Sequence, residues 1–126
     1  ETALTAVKGA VVNIASVMSV FGSGTGPAYS ASKGAVVQFT KSLAVAWGEK
    51  NIRVNSVAPG WIETPMTTQM QADEDRNRRV LERSPMNRWG KPEEIAQGIV
   101  FLLSPEASFI TGVMLPVDGG YLVKGI

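Results

Sequence analysis

Short apolar runs alternate with longer stretches of helical periodicity along this 126-residue chain. Ala10-Val11-Val12-Asn13-Ile14-Ala15 is bounded by Gly9 and by polar and glycine residues, and its length predicts a buried strand. A second strand is predicted over Ile52-Arg53-Val54-Asn55-Ser56-Val57-Ala58, stopped by Pro59-Gly60. The third, Gly112 to Val117, ends at Asp118-Gly119-Gly120; Pro116 has no N–H for a ladder and implies an edge or strand-end position. A helix of about 20 residues is predicted between the first two strands, opened by Pro27 and closed near Gly48. Val36, Phe39, Thr40, Leu43 and Trp47 fall at helical spacing there and predict one buried stripe. A further helix is predicted from Pro92 to Leu103, with Glu93 and Glu94 in the first turn, where the helix dipole favours anions. Strand, helix, strand, helix, strand implies an α/β fold of parallel strands joined by right-handed crossovers.

The stretch from Glu63 to Lys91 departs from this rhythm. Of the 23 charged residues (12 Lys and Arg, 11 Asp and Glu), twelve lie between Asp73 and Glu94. The segment therefore reads as an inserted, solvated helical lid over 63–91 and not as core. It follows the carboxyl end of a strand, and ligands of open α/β sheets bind in the crevice outside those ends.

Composition narrows the chemistry. The formal charge is +1, which demands neither nucleic acid nor a membrane surface as partner. There is no cysteine and no histidine, which excludes disulfides, thiolate catalysis and the commonest metal ligands, so no metal is expected. No apolar run reaches the roughly 20 residues that cross a bilayer, and ETALTAVKG lacks the regions of a signal peptide, so a single cytoplasmic domain is expected.

Three polar residues stand out against this background. Ser16 directly follows the first predicted strand, and after twelve intervening residues Tyr29 and Lys33 follow in YSASK, inside the long helix. Four residues apart, Tyr29 and Lys33 share one helix face. An ammonium near a phenol favours the ionised form, which suits the phenol to exchange protons at physiological pH without histidine. A hydroxyl at the carboxyl edge of the sheet can polarise a carbonyl oxygen. Small residues around Lys33 (Ser30, Ala31, Ser32, Gly34, Ala35) leave room for a ligand against the helix. Gly22, Gly24 and Gly26 in GSGTG imitate a dinucleotide-binding turn, but the third glycine of GxGxxG would fall at position 27, which is Pro27. The stretch reads instead as a flexible loop joining Ser16 to Tyr29.

VVNIAS, YSASK, IRVNSVAPGWIET, RWGKPEEIA and GVMLPVDGG together resemble the C-terminal half of a short-chain dehydrogenase/reductase, from about Gly9 to Leu122. The resemblance implies one half of a Rossmann-like doubly wound sheet and an NAD- or NADP-dependent interconversion of a secondary alcohol and a ketone. It casts Tyr29 as the residue that exchanges a proton with the substrate oxygen, Lys33 as the holder of the nicotinamide ribose and Ser16 as the group that steadies the substrate oxygen. Pro59, Gly60, Trp61, Ile62 and Thr64 form the implied cofactor loop, with Gly60 allowing close backbone approach and Ile62 an apolar wall. The GSGTG loop lines the substrate pocket, with the residue at position 18, Met18, on the substrate side.

Family members are about twice as long, and nothing before Gly9 matches their glycine-rich turn, cofactor selector or catalytic asparagine. The resemblance therefore implies a partial domain over 1–126 that is truncated, processed or one of two chains. The expected partner is a second copy, in a dimer or tetramer, or the complementary N-terminal half. DEDRNR, ER.P, RWG and VDGGYL resemble the branch of gluconate and 2-dehydro-3-deoxygluconate 5-dehydrogenases, with a small-molecule alcohol or ketone as substrate. Arg76 or Arg79 is the expected partner of a sugar-acid carboxylate, because guanidinium forks suit carboxylates. The competing expectation is a catalytically silent fragment that associates through Val36, Phe39, Leu43 and Trp47.

Overall fold

The computed structural model describes residues 1–125. Its elements run α1 (Thr2–Val7), β1 (Ala10–Ile14), α2 (Pro27–Trp47), β2 (Arg53–Pro59), α3 (Thr68–Ala72), α4 (Glu74–Arg83), α5 (Pro92–Leu103) and β3 (Met114–Val117). The strands form one parallel sheet in the order β1-β2-β3, with Val12 opposite Asn55 and Val57 opposite Leu115. Parallel strands need crossovers, which α2 and α5 supply.

Because side chains alternate across a strand, this register sorts the sheet into two faces. Asn13, Ser56 and Met114 share the face covered by α2, where Asn13 Nδ2 donates to Thr40 Oγ1 at 3.0 Å. Two apolar clusters lie there: Ala15, Val37 and Ala58, and Ala44, Ile52 and Val54 with Leu4 packed against them. Burying each of the larger ones contributes about 1.5–3 kcal/mol. The opposite face belongs to α5, where Gly98 lets the helix approach Val117 and Leu115. Arg53 crosses from β2 to the end of α5 and donates to the carbonyls of Leu102 (2.6 Å) and Ser104 (3.0 Å), groups that the helix itself leaves unpaired. Asn55, fully buried, donates to Ile110 O and accepts from Val113 N, which ties β2 to the entry of β3.

Four details differ from the periodicity. The buried stripe of α2 is Val37, Thr40 and Ala44, while Phe39 stands 57% exposed. The spacing fits several adjacent faces of one helix, and Asn13 and Val54 select this one. The third strand starts at Met114 and not at Gly112, whose φ of 76° bends the chain out of the extended region. Residues 2–7 form a helix that the apolar pattern leaves unassigned. The 63–91 segment is not wholly solvated, because Val80, Ser84 and Trp89 are buried. Pro116 does lie in an edge strand.

Candidate active site

β1 delivers the chain to the carboxyl edge of the sheet, where it turns through Ala15 and Ser16 into a short 3-10 turn, Val17–Ser19. Ser16 and Ser19 cap that turn reciprocally. Ser16 Oγ accepts from the backbone N–H of Met18 (3.2 Å), and Ser19 Oγ accepts from Ser16 N (3.2 Å). Ser19 Oγ then donates to the carbonyl of Lys33 at 2.8 Å, fastening the turn to α2. Lys33 returns to the same strand end, where its Nζ donates to Ile14 O at 2.9 Å. That ammonium lies 5.8 Å from the centre of the Tyr29 ring, within cation–π range. Ser16 is buried, whereas Tyr29 is half exposed. A pinned hydroxyl, an anchored ammonium and an accessible phenol thus gather at one edge. Nζ has three donors and one acceptor among the described residues, so it keeps donors for hydroxyl groups of a ligand.

The loop after β2 is built by its contacts with later parts of the chain. Gly60 N donates to Val117 O, and a Cβ at position 60 would lie 2.7 Å from Asp118 Cα, so the glycine is required by the chain's own C-terminal turn. Ile62 is buried and pairs with Gly90 through an isolated parallel bridge. Thr67 caps the next turn, donating to Ile62 O at 2.7 Å and accepting from Thr64 N at 3.0 Å. Trp61, Ile62, Glu94, Val117 and Asp118 help to line a cavity of about 320 Å³. Ser16, Tyr29 and Lys33 are not among its lining residues. Trp61 Nε1 is buried without a hydrogen-bond partner among the described residues, and a buried N–H normally finds one. With the remaining donors of the Lys33 ammonium, an accessible phenol and an orphaned indole N–H, the donor set fits a polar, hydroxyl-rich cofactor.

The arginines of residues 63–91 take different places. Arg76 lies 3.7 Å from Asp73, whose carboxylate also caps α4 by accepting from Arg76 N. Arg79 borders a separate open cavity with Glu82, Arg83 and Lys124. Neither lines the cavity beside Trp61. Arg88 makes a two-pronged pair with Glu94 at 2.9 and 2.6 Å, and Glu94 also accepts from Lys91 N at 2.8 Å. Arg88 first, and then the Lys91 amide, hold the Glu94 carboxyl at a pKa of about 2.

Sequence reasoning missed the residues that join these segments. Asp118 accepts from Gly120 N and Leu122 N, and so fixes the turn that buries Tyr121. The Tyr121 ring meets Phe21 at 6.0 Å and Trp61 at 6.2 Å, and Trp61 meets Trp89 edge to face at 5.8 Å. The usable signal was that Tyr121, one of two tyrosines, directly follows the Asp118-Gly119-Gly120 turn.

Comparison with known proteins follows the same geometry. A family model described as enoyl-(acyl carrier protein) reductase matches residues 1–122. The chain is 42% identical over 116 residues to a 2-dehydro-3-deoxy-D-gluconate 5-dehydrogenase of Dickeya dadantii, covering 92% of this chain and 46% of that enzyme. It is 45% identical over 115 residues to a 3-oxoacyl-(acyl-carrier-protein) reductase of Thermotoga maritima, covering 91% and 46%. Among solved structures, a gluconate 5-dehydrogenase from Burkholderia cenocepacia in complex with NADP and tartrate superimposes with a TM-score of 0.93 at 32% identity, covering 98% of this chain and 49% of that one. The chain thus spans about half the length of the relatives it matches.

Proposed function

The chain belongs to the short-chain dehydrogenase/reductase family, and from that premise we propose that it carries the proton-transfer half of an NAD- or NADP-dependent oxidoreductase interconverting a secondary alcohol and a ketone. The observation that carries this reading is the double tether of Lys33: its carbonyl is held by Ser19 and its ammonium by Ile14, at the strand end that also bears Ser16. Tyr29 gives its phenolic proton to the carbonyl oxygen in reduction and recovers it in oxidation. Ser16 donates a hydrogen bond to the same oxygen as negative charge grows there, and the Lys33 ammonium stands beside the Tyr29 ring. A nicotinamide cofactor, when bound, supplies or accepts the hydride at the carbon. Lys33 holds its ribose hydroxyls, and Pro59, Gly60, Trp61, Ile62 and Thr64 face its nicotinamide end. Residues 63–91 act as the substrate lid.

A sugar acid is the substrate class favoured by the resemblance of the lid, with Met18 and Ser16 on the substrate side and Arg76 or Arg79 meeting the carboxylate. Both arginines lie on the exposed surface of α4, so this pairing requires the lid to close further. Association completes the site. The outer edge of β1 pairs with no strand among the described residues, and Val100, Phe101 and Leu103 of α5 stand 66%, 43% and 45% exposed. A second copy, or a polypeptide supplying the strands that the relatives carry, covers these surfaces.

Titration with NADH and NADPH, followed by nicotinamide fluorescence, tests the reading. Binding by this chain, alone or with a complementary N-terminal half, is expected to weaken about 10-fold or more in Lys33→Met, since hydrogen bonds to charged groups contribute about 1.5–3 kcal/mol. Tyr29→Phe is expected to retain binding and lose about 10²-fold or more in turnover. Absence of any response in both settings leaves association as the only role.

A further inference from the structure

Five lid arginines look alike in sequence, and the structure sets one apart. Arg76 and Arg78 pair with acids of their own helix region, and Arg88 pairs with Glu94. Arg83, the last residue of α4, reaches instead to two aromatic rings. Its guanidinium carbon lies 4.8 Å from the centre of Phe21 and 4.6 Å from that of Tyr121, rings inclined at 33° to one another. Its Nε also points at Tyr121 O, 3.5 Å away. A planar guanidinium stacks on such faces in a way that an ammonium cannot reproduce.

The three segments joined here are those that border the crevice. Phe21 lies five residues beyond Ser16, at the start of the GSGTG loop. That loop has little else to hold it: Val20 is 58% exposed, and a Cβ at Gly22 or Gly24 would meet nothing within 4 Å. Three glycines make the loop costly to order. Helix α4 is held by Val80, its one buried residue, and by Asn77 Oδ1, which accepts from Trp89 Nε1 at 2.7 Å. Tyr121 extends the contact to Trp61, next to Gly60.

We propose that Arg83 is a positioning residue that latches the lid to the loop following Ser16, so that lid and loop order together as one unit. The bearing of this latch on catalysis rests on the oxidoreductase reading above; the latch itself does not. Seating the lid fixes Phe21, which limits the freedom of the chain leaving Ser16. Removing either side of the stack releases both segments.

Hydrogen exchange on the full chain, comparing wild type with Arg83→Gln, Arg83→Lys, Phe21→Leu and the Arg83→Gln/Phe21→Leu double variant, tests the latch. Arg83→Gln is expected to speed exchange in residues 74–83 and in residues 17–21 together, by about two- to fivefold for each aromatic ring that the guanidinium no longer covers. The β2 amides of Val54 and Val57 are expected to keep their rates, which separates latch release from unfolding. Phe21→Leu is expected to give the same paired pattern at a smaller size, since the Tyr121 face stays covered, the double variant to add little to Arg83→Gln, and Arg83→Lys to fall between wild type and Arg83→Gln. Faster exchange confined to 74–83, or additive effects of the two substitutions, overturns the latch. NADPH fluorescence on the same samples separates the two readings. Paired exchange with no cofactor response in any setting removes the oxidoreductase reading and leaves the latch standing, and a cofactor response with unpaired exchange removes the latch alone.

Discussion

Replacing Gly60 with alanine adds one methyl group at the point where the loop after β2 passes the C-terminal turn. That methyl carbon would sit 2.7 Å from Asp118 Cα, 2.8 Å from Asp118 Cβ and 3.1 Å from Asp118 O. Ordinary carbon contacts begin near 3.4 Å, so the two backbones must separate by about 0.7 Å. Two of these atoms are backbone, and no flexible side chain can swing away to absorb the shift. Separation also stretches the 3.0 Å bond from Gly60 N to Val117 O and disturbs the turn in which Asp118 holds Gly120 and Leu122. Overpacking of this kind costs about 1–3 kcal/mol. With a urea dependence of about 1–3 kcal/mol per molar, the unfolding midpoint is expected to fall by roughly 1 M. Tryptophan fluorescence is the natural probe, because Trp61 adjoins the altered residue and touches Tyr121. Gly22→Ala is the matched control: nothing lies within 4 Å of its added carbon, so its midpoint is expected to hold or to rise slightly. Equal shifts at the two positions, or an unchanged midpoint for Gly60→Ala, would refute the steric argument.

Two further outcomes follow from buried amides and from paired charge. Asn55→Ala leaves Ile110 O and Val113 N without their partner in a fully buried setting, at about 1–3 kcal/mol for each group; thermal unfolding should show a loss of several degrees, and an unchanged melting temperature would mean that water replaces the amide. Glu94 has its folded pKa lowered from 4.5 to about 2, so its contribution is fully present above pH 4.5 and fades as the pH falls toward 2. The melting temperatures of wild type and Glu94→Gln should accordingly differ at pH 7 and converge near pH 2, and a gap that persists at pH 2 would assign the effect to packing.

The strands and long helices were legible because each carries its own local signal. Pro27 and Pro92 mark the helix starts within the sequence itself, Pro59-Gly60 and Asp118-Gly119 stop the second and third strands, and Pro116 declares an edge. The gathering of Ser16, Tyr29 and Lys33 was legible for a related reason. One residue ends a strand, the other two share a helix face, and a parallel crossover returns that helix to the same sheet edge. The fate of the arginines was not legible. Arg76, Arg79 and Arg83 recur at intervals of three and four on one helix, and nothing local distinguishes the one that finds two aromatic rings from the others.

The sequence by itself therefore determined the α/β alternation and the parallel sheet, and it marked Ser16, Tyr29 and Lys33 as candidate residues, because periodicity, turn residues and helical spacing act over fewer than about ten residues. Tertiary structure alone decided which face of α2 is buried, why position 60 is glycine, and which arginine of α4 meets two aromatic rings. Each of those depends on residues far apart in the chain: Asn13 with Thr40, Gly60 with Asp118, and Arg83 with Phe21 and Tyr121. Contacts at such separations are fixed by how the sheet brings its carboxyl-end loops together, and no local pattern encodes them.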